Sequence, residues 1–230
     1  MKRRTFLEGF IGFGLGTLAF FKETKTGGKG LFSEASAAEP PFSGQETISL
    51  PVFEKTNPFP LERALQERKS VRTYNPERTL SLPEISRLLW AADGINRDSG
   101  KRTAPSALAR YPVELLVALP LGVYRYEPQP HRLVRVVADD LRGRIPVQGA
   151  FKQAGMIVLY VINKEKISGA GFGWADLEIG SIGQNLFLEA TVLGLGSCIF
   201  ASINIAEVTK ILGLKENQVL RIAQAVGAAK

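Results

Sequence analysis

The pentapeptide Arg68-Lys69-Ser70-Val71-Arg72 carries the clearest chemistry in this chain of 230 residues. In an extended conformation Arg68, Ser70 and Arg72 point to one side. Two guanidinium forks and a hydroxyl then form a phosphate cradle, through bidentate charge-assisted hydrogen bonds. The same residues also make an ordinary solvated basic turn, and spacing alone leaves both readings open. Thr103-Ala104-Pro105-Ser106-Ala107 is a loop of small residues. Such a loop lets a planar ligand approach the backbone, or it simply connects two elements.

The other reactive residue types mainly exclude functions. A single cysteine, Cys198, rules out an internal disulfide framework and any metal centre held by several thiolates of one chain. It falls in an apolar stretch and reads as a buried, inert thiol. The single histidine, His131, follows Pro128 and Pro130 and reads as a turn residue, so no metal site is expected. Gly169, Gly171 and Gly173 do not form the dinucleotide fingerprint and read as a flexible loop, one that could gate a pocket. No Gly-x-Ser-x-Gly elbow and no phosphate-binding loop of the Gly-x-x-x-x-Gly-Lys type occurs. No side chain is marked as a general acid or base, so the catalytic residues stay unassigned.

Residues 1–37 read as an address rather than as part of the fold. Arg3-Arg4-Thr5-Phe6-Leu7 resembles the twin-arginine export signal, and Gly9 to Phe21 is a mildly apolar run. Ala35-Ser36-Ala37 supplies a small-x-small cleavage pattern; a retained membrane anchor is the alternative. The segment holds six basic and three acidic residues, so removing it lowers the formal net charge from +7 to +4. That balance, without an arginine-rich stripe interleaved with aromatics, argues against a nucleic-acid partner. The twin-arginine route carries folded proteins, often with a cofactor in place, to the periplasm or the cell exterior.

The chemistry-bearing residues are spread among elements that the patterning predicts. Residues 38–57 read as a linker or extended arm, and 58–230 as the folded domain. Pro60 to Arg68 predicts a short helix, with Leu61, Ala64 and Leu65 on one face. Ser81-Leu82-Pro83-Glu84 is a capping box opening a helix that Gly94 closes. Val113–Leu119 predicts a strand, 123–127 and 132–137 a hairpin, and Met156–Ile162 a central buried strand. Leu177 to Leu193 predicts the longest helix, where Gly180 and Gly183 would be tolerated if another backbone packs closely. Ser197–Ala201 predicts a strand, Asn204 a capped helix ending at Gly213, and Val219–Val226 a last strand. The irregular order of helices and hairpins indicates α+β.

In sequence order, several pieces resemble the nitroreductase superfamily of flavin-dependent proteins. They are Arg68 to Tyr74, Leu88-Leu89-Trp90-Ala91-Ala92-Asp93-Gly94-Ile95, Arg102 to Ala107, and Tyr111-Pro112-Val113-Glu114-Leu115. Gly122-Val123-Tyr124-Arg125-Tyr126 with His131-Arg132-Leu133, and Glu178 through Gly196, continue the match over roughly 58–227. The Leu-Leu-Trp-Ala-Ala and Tyr-Arg-Tyr pieces look most like the SagB/ThcOx-type dehydrogenase branch.

The resemblance implies a nitroreductase-like FMN-binding fold: a mostly antiparallel sheet flanked by helices, in an intertwined homodimer. It places the FMN phosphate and ribityl chain on Arg68, Lys69, Ser70 and Arg72. It places Pro105, Ser106 and Ala107 against the flavin of the partner subunit, and the backbone of Ala201 and Ser202 at the flavin N5 edge. Many nitroreductases carry Glu-Gly or Gly-Gly where Ala201-Ser202 stand, and SagB-type enzymes carry Lys-Tyr where Lys166-Ile167 stands. The implied activity is an FMN-dependent oxidoreductase, exported folded, passing electrons between small-molecule donor and acceptor in a ping-pong cycle. A dehydrogenase tailoring a peptide or small metabolite, and a non-catalytic flavin-binding or scaffold protein, are the alternatives.

Overall fold

The computed structural model describes residues 45–56, 58–167 and 171–230. The export-signal reading, the start of the arm and Gly169 lie outside the described residues. Among the described residues seven strands form one sheet, in the spatial order β1 (Thr47–Ser49), β4 (Arg132–Val137), β3 (Gly122–Glu127), β2 (Val113–Leu119), β5 (Met156–Asn163), β7 (Gln218–Gly227) and β6 (Gly196–Phe200), and every neighbouring pair is antiparallel. Helices cover it, so the α+β reading holds. No described helix is long and apolar enough to cross a membrane.

The arm is not only a linker: Thr47–Ser49 is strand β1, paired with β4 (Arg132–Val137) at the sheet edge. Thr47 and Ser49 are exposed while Ile48 and Leu50 are buried, the alternation of a half-covered strand. Helix α1 spans Leu61–Glu67. Helix α2, Leu82–Asp93, begins at the expected capping box: the Glu84 amide donates to the Ser81 hydroxyl, and the Ser81 amide donates to the Glu84 carboxylate at 2.8 Å.

Strand β2 (Val113–Leu119) pairs with β3 (Gly122–Glu127) and with β5 (Met156–Asn163). β5 is buried on both faces. Met156, Val158, Tyr160 and Ile162 face the core under α2, whereas Ile157, Leu159 and Val161 face a second core. That explains its unbroken apolar run.

Helix α3 spans Phe172–Val192, starting five residues before the expected Leu177. The glycine-rich segment is therefore not wholly a loop. Gly171 caps the helix at φ 67°, and Gly173 lies inside it. Gly173 lowers helix propensity by about 1 kcal/mol. Burial of Ala175 on the face continued by Ile179, Ile182 and Leu186 opposes that loss. Gly183 needs its missing side chain, since a Cβ there would lie 2.7 Å from Ile199 Cδ1; Gly180 faces open space. The close packing expected at both glycines is thus present at one, and it is with side chains rather than backbone.

Strand β6 (Gly196–Phe200) pairs with β7 (Gln218–Gly227). Helix α4, Ile205–Leu212, ends at Gly213 in the left-handed region. The Asn204 side chain does not cap it. It donates instead to the Arg144 carbonyl at 2.7 Å, tying the helix start to a neighbouring segment.

Candidate functional site

The basic pentapeptide leaves α1 as an extended strap along β6. The Arg68 amide closes the helix on the Ala64 carbonyl, and Ser70 bridges Ser197 in parallel. The Val71 amide donates to the Ser197 carbonyl at 2.9 Å. Val71 lies directly over Gly196, where a Cβ would come within 2.6 Å of it. With Val71 facing inward, the alternation turns Ser70 and Arg72 outward. Lys69, Ser70 and Arg72 are exposed; Arg68 is half-buried, its guanidinium 5.4 Å from the centre of the Phe187 ring. Lys69 and Arg72 have no ion-pair partner among the described residues. Two guanidinium groups and a hydroxyl on one side of the strap, with the exposed Lys69 beside them, suit a phosphate dianion.

Two supports of the strap carry no signal of their own in the pentapeptide. Tyr74 is buried, and its hydroxyl donates to the Val71 carbonyl at 2.6 Å. Burial pushes the Tyr74 phenol well above its ordinary value, so it remains a donor. Below Ser197, Gln224 donates to the Ser197 hydroxyl at 2.8 Å and to the Gly183 carbonyl, and accepts from the Tyr160 hydroxyl at 2.5 Å. Ala201 and Ser202 follow at the end of β6, about 13 Å along the strand from Ser197. Their carbonyls accept from Ile203 and Val147, both at 2.9 Å.

Pro105, Ser106 and Ala107 lie elsewhere. The Ser106 hydroxyl sits beside the Glu178 carboxyl near the start of α3, whereas the strap meets α3 at Phe187. Nine residues of helix separate these points by about 14 Å. The two expected halves of the site are therefore at different ends of α3, and one chain does not bring them together.

The loop carrying Pro105 is strained. Leu108, Ala109 and Tyr111 have φ of 54°, 53° and 49°, with no glycine among them. Each residue in that region costs about 1–2 kcal/mol. The Tyr111 amide donates to the Ser106 hydroxyl at 2.9 Å, and the Tyr111 hydroxyl accepts from the Arg102 amide at 3.3 Å. Pro105 is exposed, Ser106 and Ala107 are half-buried, and Leu108 is 78% exposed at the tip.

Two buried carboxyls stand behind this loop, and neither was singled out from the sequence. Asp93 closes α2, is 2% exposed and accepts from Arg102 at 2.5 Å. Its Oδ1 has no hydrogen-bond partner among the described residues. Burial pushes Asp93 up to about 7, against the opposing pull of Arg102. Glu178 is also 2% exposed and accepts from the Val113 amide at 3.3 Å. Burial raises its pKa too, opposed by Ser106, the Val113 amide, Arg102 and Lys166. A clue was available for each. Asp93 is an acid at a helix C-terminus, where the dipole disfavours negative charge. Glu178 adjoins the apolar stripe of α3. Beside them, an open cleft of about 420 Å³ is lined by Asp93, Arg102, Tyr111, Tyr126 and Lys166.

His131 is in the turn as expected, at φ 48°, and it does more than turn the chain. Its Nε2 lies 2.8 Å from the Ser86 hydroxyl and its Nδ1 2.9 Å from the Tyr126 hydroxyl, joining the hairpin to α2. Cys198 is buried.

Residues 65–228 match the nitroreductase family. A protein of Methanocaldococcus jannaschii carrying the nitroreductase name is 34% identical over 188 residues, covering 75% of this chain and 92% of that protein. A solved structure from Ralstonia eutropha JMP134, likewise named, superposes with a TM-score of 0.77 at 30% identity, covering 82% of this chain and 92% of that chain. A structure from Desulfovibrio desulfuricans, solved in complex with FMN, shares the fold with a TM-score of 0.56 at 21% identity, over 76% of this chain and 88% of its own. By the extent of the family match and the closeness of these relatives, the chain belongs to the nitroreductase family.

Proposed function

We propose that this protein is an FMN-dependent oxidoreductase that works as a homodimer after export in the folded state. The observation that carries the reading is the strap: cations without ion-pair partners among the described residues and a hydroxyl, held on β6 by Val71, Tyr74 and Ser197. Arg68, Ser70 and Arg72 would hold the phosphate and Lys69 would add positive charge, while Ala201 and Ser202 would meet the ring edge further along β6. Bound flavin would supply the hydride and electron chemistry that no side chain here provides.

The separation along α3 supports a two-chain site. A twofold axis crossing α3 near its middle sets the start of one helix beside the end of the other, bringing Pro105, Ser106 and Ala107 of one copy to the strap of the second. The apolar surface fits such a contact: Leu61 and Leu65 on α1, Phe172, Trp174 and Leu177 on α3, and Leu108 at the loop tip are all exposed. The export part rests on Arg3-Arg4-Thr5-Phe6-Leu7 and Ala35-Ser36-Ala37 alone. The Leu-Leu-Trp-Ala-Ala and Tyr-Arg-Tyr pieces favour the SagB/ThcOx-type branch.

The test is the visible spectrum of the purified full-length protein, then release and identification of its pigment. Flavin bands and about one FMN per chain are expected. A colourless protein that also fails to bind added FMN would refute the reading.

A further inference from the structure

Building on that reading, we propose that Asp93 and Glu178 are positioning residues for the flavin site. Acting through Arg102, Ser106 and the Val113 amide, they hold the strained 107–111 turn in the shape that presents Pro105, Ser106 and Ala107 to a second copy's strap. Three successive facts carry this. Among the described residues, three of the four non-glycine residues with positive φ are in this one turn, so it keeps its shape only while its surroundings impose it. The imposing contacts come from two helices: Asp93 at the end of α2 grips Arg102 before the turn, and Glu178 of α3 takes the Val113 amide after it. Both carboxyls are buried, and among the described residues Asp93 Oδ1 and Glu178 Oε2 have no hydrogen-bond partner, so the contacts each carboxyl makes through its other oxygen run to the residues that flank the turn.

The arrangement makes flavin affinity sensitive to pH. Asp93 is faced by Arg102, Glu178 and Lys166, and lies close enough to Tyr126 and Tyr160 to act on their phenols. Burial raises both phenols far above the working range, so they do not titrate there. Lys166 is shared with Glu114, 3.9 Å away. The ionised Asp93 carboxylate grips the Arg102 guanidinium more strongly than the protonated form does, because charge-assisted bonds are the stronger kind.

The experiment titrates FMN into the flavin-free full-length protein, following flavin fluorescence from pH 5.5 to 8.5. It compares wild type with Asp93→Asn and Glu178→Gln, substitutions that keep shape and remove ionisation. The FMN phosphate titrates in the same window, but identically for every variant, so the ratio of dissociation constants isolates the carboxyls. Asp93→Asn is expected to weaken binding about tenfold at pH 8 and no more than about twofold at pH 5.5. Glu178→Gln is expected to weaken it several-fold at pH 8. Hydrogen exchange of the flavin-free protein reads the anchoring directly: relative to the amides of β5 and β7, which report global unfolding, amides of 106–113 should exchange at least fivefold faster in both variants.

Affinities equal to wild type in both variants would overturn the positioning role while leaving the flavin reading intact. Faster exchange spread evenly over the whole sheet would do the same, by showing a loss of general stability. Absence of FMN binding by the wild type would sink the proposed function, and the positioning role with it.

Discussion

Replacing Asp93 with Asn should make the protein's stability depend less on pH. In the unfolded chain this carboxyl titrates near 3.8, and in the fold it is pushed up to about 7. A folded-state pKa above the unfolded value means that the group's contribution is fully present below pH 3.8. It is lost as the pH rises through 7, because the fold must then hold a buried charge. The gap is about three pKa units, at about 1.4 kcal/mol each, so wild type loses about 4 kcal/mol between pH 4 and 8 through this residue alone. The Asn variant cannot ionise and loses none of it. The difference in unfolding free energy, variant minus wild type, should therefore climb by about 4 kcal/mol across that range. Urea unfolding of the full-length proteins at half-unit pH steps measures it, with linear extrapolation. Two effects compete at this site. Burial at 2% exposure disfavours the charge, and the 2.5 Å contact with Arg102 favours it. A difference that stays flat, or falls with rising pH, would show that Arg102 wins, and would refute the reasoning.

Other consequences follow from the strap and its supports. Gly196→Ala should push Val71 off β6, costing about 1–3 kcal/mol in urea unfolding and weakening FMN binding; unchanged values for both would count against the close approach. Tyr160→Phe should leave the Gln224 oxygen buried without its donor, lowering stability by about 1–3 kcal/mol; a neutral result would show that another donor replaces the phenol. Arg72→Ala should weaken FMN binding at least tenfold while moving unfolding free energy by less than about 0.5 kcal/mol, since the side chain is exposed and has no ion-pair partner among the described residues. Equal affinity in that variant would remove Arg72 from the phosphate site.

Much of the architecture was readable because its causes are local. The capping box of α2 involves residues three apart, and the β3–β4 hairpin is announced by its own prolines. β5 shows its burial as an uninterrupted apolar run. Errors came where a local rule was outweighed from a distance. Gly171 and Gly173 read as a loop, but packing of Ala175 extends α3 through Gly173. Asn204 read as a cap, but its amide is claimed by Arg144, 60 residues away. Thr47–Ser49 is too short a strand to stand out, and its pairing with β4 is what makes it one.

The candidate site divides along the same line. Residue type and spacing determined that Arg68, Ser70 and Arg72 could hold a phosphate, because alternation along an extended strap is a property of the strap itself. Only the tertiary structure decided that Val71 and Tyr74 lock the strap to β6, and that Pro105, Ser106 and Ala107 sit at the other end of α3. Only it decided that Asp93 and Glu178 are buried behind a strained turn. The physical reason is that desolvation and strain depend on what the rest of the chain packs around a group. For Glu178 the partner is Val113, 65 residues away, a contact that no local pattern contains.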